Sequence, residues 1–123
     1  MGMDARIIRC RNVLQPENAN FWEICRTINE GTYDDLKTPA IVWEARKWYD
    51  MHNFIVSLLP GKEYESGDYV ALTKQQLETI LAYATHHTDY WCGFGSVPNL
   101  CRALLNYDDV IENGYIYVYE CDW

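Results

Sequence analysis

Hydrophobic and polar positions alternate at the end of the chain. Tyr115, Tyr117, Tyr119, Cys121 and Trp123 fall on one side of an extended backbone, and Ile116, Val118, Glu120 and Asp122 on the other. That period of two predicts a strand. Residues 4–12 contain no Gly or Pro and place Ile7 and Ile8 on opposite faces, which predicts a strand there too. Antiparallel pairing of the two would set Arg6, Arg9 or Arg11 across from Glu120 or Asp122, a favourable cross-strand combination. A short third strand is expected at Tyr69–Leu72.

The remaining hydrophobic positions follow helical spacing. Asn20 with Glu23 makes a capping box ahead of the stripe Phe21, Ile24, Cys25 and Ile28, and Gly31 is a stop. From Pro39 to about Leu59 the residues Ile41, Ala45, Trp48, His52, Ile55 and Leu59 share one helical face. Trp43, Lys47 and Phe54 lie almost opposite, so this stretch predicts a long central helix with apolar matter on two sides. Thr73-Lys74-Gln75-Gln76 is a second capping box, opening a helix to about Thr85 with Leu77, Ile80, Leu81 and Ala84 inward. Ser96 and Pro98 start a last helix whose core face is Leu100, Ala103, Leu104, Tyr107 and Ile111, stopped by Asn113-Gly114. The expected fold is a single α+β domain over residues 1–123. It has a small antiparallel sheet of the N- and C-terminal strands plus the strand near 69–72, packed with about four helices.

Composition supports a chain with its own core: 123 residues, 49% hydrophobic and 15% aromatic. The formal charge of −8 argues against direct nucleic-acid binding, which needs Lys and Arg against phosphates. The first residues lack the basic-then-apolar pattern of a secretory signal, and no apolar run approaches a membrane span. Five widely spaced cysteines in such a chain are expected to be reduced thiols in the cytoplasm. No Lys or Arg occurs from residue 103 onward, where Asp108, Asp109, Glu112, Glu120 and Asp122 concentrate the negative charge.

Candidate chemistry is sparse. His86, His87 and Cys92 lack the spacing that brings metal donors together, so no metal or other cofactor is expected. His52 is a general-base candidate by its pKa range, but it lies within an apolar stripe, which predicts a core histidine hydrogen-bonded to a neighbour. Cys92 and Cys101 are without a nucleophile signature. Gly93-Phe94-Gly95-Ser96 precedes a helix start, where backbone N–H groups can hold an anion, yet it lacks the Lys of a phosphate loop.

Several ordered stretches together resemble a family of small uncharacterised phage and prophage proteins. Those proteins begin Met-Gly-Leu-Asp-Met-Tyr-Leu, carry a Trp-Arg-Lys-Ala…Ile-His-Asn-Trp-Phe helix and end in an aromatic strand closing on Trp. The matching residues are Met1-Gly2-Met3-Asp4, Arg46-Lys47 with Met51-His52-Asn53-Phe54, Tyr69-Val70 with Thr73-Lys74 and Leu77, Phe94-Gly95-Ser96, and Tyr115–Trp123. Trp48, Tyr49 and the Glu120-Cys121-Asp122 tail depart from the family pattern. The resemblance implies a viral or mobile-element accessory protein. The leading expectation is a non-enzymatic inhibitor of a host protein, such as a nucleic-acid-handling defence complex (anti-CRISPR-like). It would bind through Asp108, Asp109 and Glu112 with Trp43 and Phe54. The alternative is a small-anion or nucleotide-binding, even catalytic, domain using Arg46, Lys47, His52, Asn53 and Ser96.

Overall fold

The computed structural model describes residues 3–11, 40–59, 64–87 and 97–123. In chain order these form β1 (Asp4–Arg11), β2 (Ala40–Arg46), α1 (Tyr49–Leu58), β3 (Tyr69–Ala71), α2 (Lys74–His86), α3 (Val97–Leu105), α4 (Tyr107–Glu112) and β4 (Tyr115–Asp122). The four strands make one antiparallel sheet in the order β2-β1-β4-β3, giving the α+β architecture. The helix expected to begin at Asn20 lies outside the described residues.

β1 and β4 run side by side over their whole length and form the centre of the sheet. Their register sets Arg6 opposite Glu120, while Arg9 meets Tyr117 and Arg11 meets Tyr115. One sheet face carries Ala5, Ile7, Trp43, Ala45, Tyr115, Tyr117, Tyr119 and Cys121, all buried in the main core. The other face buries a smaller cluster of Ile8, Cys10, Tyr69 and Val118. Burial on both faces explains why β4 reads as an almost continuous apolar run in which only Glu120 and Asp122 are charged.

The long central helix expected over 39–59 is two elements. Ala40–Arg46 is an edge strand with Trp43 and Ala45 turned into the core and Glu44 and Arg46 exposed. Its pairing with β1 shifts between Ile7 and Ile8, leaving Val42 as the extra residue of a β-bulge. The chain then turns sharply at Lys47, whose φ of 56° is the left-handed region. The Lys47 N–H donates to the Met3 carbonyl at 2.6 Å. Only after Trp48 does the backbone become helical, and α1 buries Met51, His52 and Ile55.

α2 begins at the expected capping box. The Thr73 hydroxyl accepts from the Gln76 N–H at 3.1 Å, and the Gln76 side chain accepts from the Thr73 N–H at 2.8 Å. Leu77, Ile80 and Ala84 are buried, as their spacing requires, and Leu81 packs partly buried against them. The last expected helix is broken at Asn106, which re-phases it into α3 and α4. In consequence Val110 takes the inward position and Ile111, expected in the core, is 40% exposed. Gly114, at φ +84°, closes the turn into β4. α1 packs on α2, α2 on α3, α3 on β2 and α4 on β4.

Candidate functional site: an acidic ridge and two buried polar centres

Arg6 organises the carboxylates of the sheet. Its guanidinium donates to the Glu120 carboxylate at 2.6 Å and lies 3.4 Å from Asp122, 3.7 Å from Glu44 and 3.8 Å from Asp4. Arg46 approaches Asp4 at 3.4 Å. Glu120 is 1% exposed, and its second oxygen, Oε1, has no hydrogen-bond partner. Burial pushes the Glu120 carboxyl above the ordinary range, against the lowering effect of Arg6; Asp122 and Asp4 add to the rise. For Arg6 the balance goes the other way. Burial disfavours its charge, but the bond to Glu120 and the charges of Glu120 and Asp122 outweigh it and hold the guanidinium protonated.

A second buried centre is His52. Its Nδ1 is 2.7 Å from the Tyr119 hydroxyl, and its ring lies edge-on to Tyr64 and Trp123, with centroids 5.3 and 5.4 Å away. Tyr64 in turn accepts from the Cys121 N–H at 2.7 Å and donates to the Asp68 carbonyl at 2.6 Å. Burial lowers the His52 pKa, so the imidazole is neutral at pH 7. Burial likewise raises Tyr119, which keeps its proton. This is a neutral core pair tying α1 to β4, with no charged base or anion receptor in it. The thiols of Cys10 and Cys121 are pushed up to about 12 and about 11 by burial, so neither is a thiolate nucleophile near neutrality.

The described residues of the alternative pocket divide between surface and core. Arg46 is exposed at the end of β2 and engaged with Asp4, Lys47 is exposed in the turn, and Asn53 is exposed on α1. His52 faces the other way, onto Tyr119. Ser96 lies outside the described residues. The surface residues divide as well. Trp43 is 1% exposed and packs against Trp48 in the core, with ring centroids 6.4 Å apart, so it leaves the candidate surface. An outer position for Trp43 holds only for a helical 39–59, and this stretch begins as a strand. Phe54 is half-buried, stacked 4.2 Å from Tyr83.

Asp108, Asp109 and Glu112 are all exposed on α4. Lys74 reaches Asp108 at 3.0 Å, but a solvent-exposed pair of this kind is worth at most about 1 kcal/mol. Beside them Leu105, at the end of α3, is 83% exposed, and Ile111 projects from α4. The break at Asn106 therefore builds a ridge of two apolar side chains among three carboxylates. Sequence periodicity missed its apolar half, because a continuous helix would have turned Ile111 inward.

Among the described residues no helix is long and apolar enough to cross a membrane, and no group of His, Cys, Asp and Glu is arranged to hold a metal ion. Comparison with protein-family models, curated proteins and solved structures finds no match.

Proposed function

We propose that this is a small accessory protein of phage or mobile-element origin, working in the host cytoplasm. It binds and inhibits a host protein that handles nucleic acid, in the manner of an anti-CRISPR-like inhibitor. The observation that carries the reading is the α3–α4 ridge. Of the five carboxylates after residue 103, Glu120 is held by Arg6 inside the fold and Asp122 by Arg6 at the partly exposed end of β4, while Asp108, Asp109 and Glu112 face outward on α4. Carboxylates alone fit a solvated helix. The nearly full exposure of Leu105 beside them adds apolar area available to a partner.

A basic groove built for phosphates is the complementary surface. Its Lys and Arg side chains would meet the carboxylates, while Leu105 and Ile111 supply the desolvated contact. Burying a leucine of this exposure contributes about 1.5–3 kcal/mol, roughly ten- to a hundredfold in affinity. The viral setting is supported by the resemblance of the ordered motifs from Met1 to Trp123.

Capture from bacterial host lysate tests the proposal, comparing the wild-type chain with the Asp108→Lys, Asp109→Lys, Glu112→Lys triple variant. The expected result is a nucleic-acid-binding protein with a basic surface that is retained by the wild type and lost by the variant. Retention of that protein by the variant would remove the ridge as the binding surface.

A further inference from the structure

The turn from α4 into β4 holds the chain's one Asn-Gly pair, Asn113-Gly114; the other asparagines precede Val, Ala, Phe, Glu, Leu or Tyr. Asparagine followed by glycine is the setting most prone to amide loss, because no Cβ shields the glycine nitrogen from the asparagine carboxamide. Both residues are exposed, so water reaches the pair. The fold nevertheless holds each reacting group. The Asn113 side-chain amide donates to the Asp109 carbonyl at 2.7 Å, which draws it back along the helix. The Gly114 N–H donates to the Ile111 carbonyl at 3.0 Å, so the attacking nitrogen is occupied too.

The two sides of the turn are anchored unequally. Tyr115 is buried and pairs with Arg11 across the sheet, so the β4 side is fixed. On the other side α4 is six residues long, and within it Val110 alone is fully buried. Tyr107 is half-buried, at the end of α4 away from the turn. So short a helix persists through tertiary packing, and its last turn depends on Val110. Opening therefore begins on the α4 side, with release of both bonds that restrain the reacting groups.

We propose that Asn113-Gly114 is a self-modification site gated by the last turn of α4. When that turn opens, the Gly114 nitrogen loses its proton to solvent and bonds to the side-chain carbonyl carbon of Asn113. The bond from that carbon to the amide nitrogen breaks, and ammonia leaves. Water then opens the succinimide ring, giving aspartate, or isoaspartate when the main-chain bond is the one cleaved. The net change is one water consumed and one ammonia released. The product carries a carboxylate where the carboxamide stood. It no longer donates to the Asp109 carbonyl, it stands one helical turn from the Asp109 charge, and it lies at the negative end of the helix dipole. The ridge of Asp108, Asp109 and Glu112 thereby gains negative charge while the turn that carries Ile111 loosens. This chemistry runs whatever the ridge binds.

Ageing the full chain in mildly alkaline buffer, folded or unfolded in urea, tests this by peptide mapping of the amide-to-acid mass gain. Both samples should convert at Asn113 ahead of every other asparagine. The folded rate should be roughly ten- to a hundredfold the lower, as for a turn that opens locally. Val110→Ala should raise the folded rate severalfold and leave the unfolded rate unchanged. Lys47→Val, which strains the separate turn between β2 and α1, should not alter the folded rate, and Asn113→Gln should remove the signal. Equal folded and unfolded rates, no conversion in the folded chain, or equal acceleration by Lys47→Val overturns the inference. The wild-type comparison of folded with unfolded chain decides the matter if Val110→Ala does not fold.

Discussion

Replacing Arg6 with methionine is the most revealing perturbation of the fold. Arg6 is the hub of four carboxylates, and its closest partner, Glu120, is almost completely buried at the centre of the sheet. Arg6→Met keeps much of the packing volume and removes the charge, so Glu120 is left buried without its closest ion-pair partner. Breaking a buried pair from one side typically costs about 3–5 kcal/mol. Glu120→Gln should cost less, about 1–2 kcal/mol, because Arg6 is partly exposed and keeps Asp4, Glu44 and Asp122, while glutamine retains an acceptor. Removing both charges, as Arg6→Met with Glu120→Leu, should recover most of the loss, since apolar replacement of a buried pair is often near neutral.

The pH dependence fixes the sign. Burial raises the Glu120 pKa in the folded state despite Arg6, so its contribution to stability is fullest below the ordinary carboxylate pKa. That contribution is lost as the pH rises through the raised value. Without Arg6 the folded-state pKa climbs further, each additional pH unit being worth about 1.4 kcal/mol. The deficit of Arg6→Met should therefore be large at pH 8 and shrink toward pH 5. Urea unfolding of the wild type, both single variants and the double variant across that range reads all of this from one set of midpoints and slopes. A deficit for Arg6→Met below about 1 kcal/mol, or one that does not change with pH, would refute the buried-pair reasoning.

Other outcomes follow from single features. Trp43→Phe should cost only about 1–2 kcal/mol in urea unfolding, because the buried indole N–H of Trp43 has no acceptor to lose, whereas Trp43→Ala should cost about 3–5 kcal/mol. Lys47→Gly should leave stability within about 1 kcal/mol of wild type, while Lys47→Val, which resists a φ of 56°, should lose about 1–2 kcal/mol in thermal melts. Thr73→Ala removes one half of the α2 capping box and should cost about 1 kcal/mol. Leu105→Ser should leave the melting temperature unchanged while weakening partner capture, since its side chain supports nothing inside the fold.

What was legible in the sequence was local or alternating. The β1–β4 pairing was legible from the alternation of the last strand, the Gly- and Pro-free N-terminal run and the chance to set Arg6, Arg9 or Arg11 against Glu120 or Asp122, of which the register selects Arg6 with Glu120. The Thr73–Gln76 cap was readable because both partners of the bond lie within one turn. β2 was not, because Ile41, Ala45, Trp48, His52 and Ile55 satisfy a helical period by coincidence while Trp43 and Ala45 satisfy a strand. Seven residues of edge strand therefore read as the first half of a helix, and that reading turns Trp43 outward although it lies in the core. The left-handed Lys47 that separates β2 from α1 has no signal, since neither Gly nor Asn marks it. The ridge was half legible. Its carboxylates were visible as charge, but its apolar members depend on the helix break at Asn106, which a continuous stripe conceals.

The central claim is that the α3–α4 ridge occupies a surface its partner otherwise uses for nucleic acid. Competition measures it most directly, with labelled nucleic acid bound to the captured partner and the protein titrated in at fixed salt. The account predicts that the wild-type chain displaces the nucleic acid, while the Asp108→Lys, Asp109→Lys, Glu112→Lys variant, folded as shown by an unchanged melt, does not. Displacement by the variant at the wild-type concentration, or partner binding that leaves the nucleic acid in place, would contradict it.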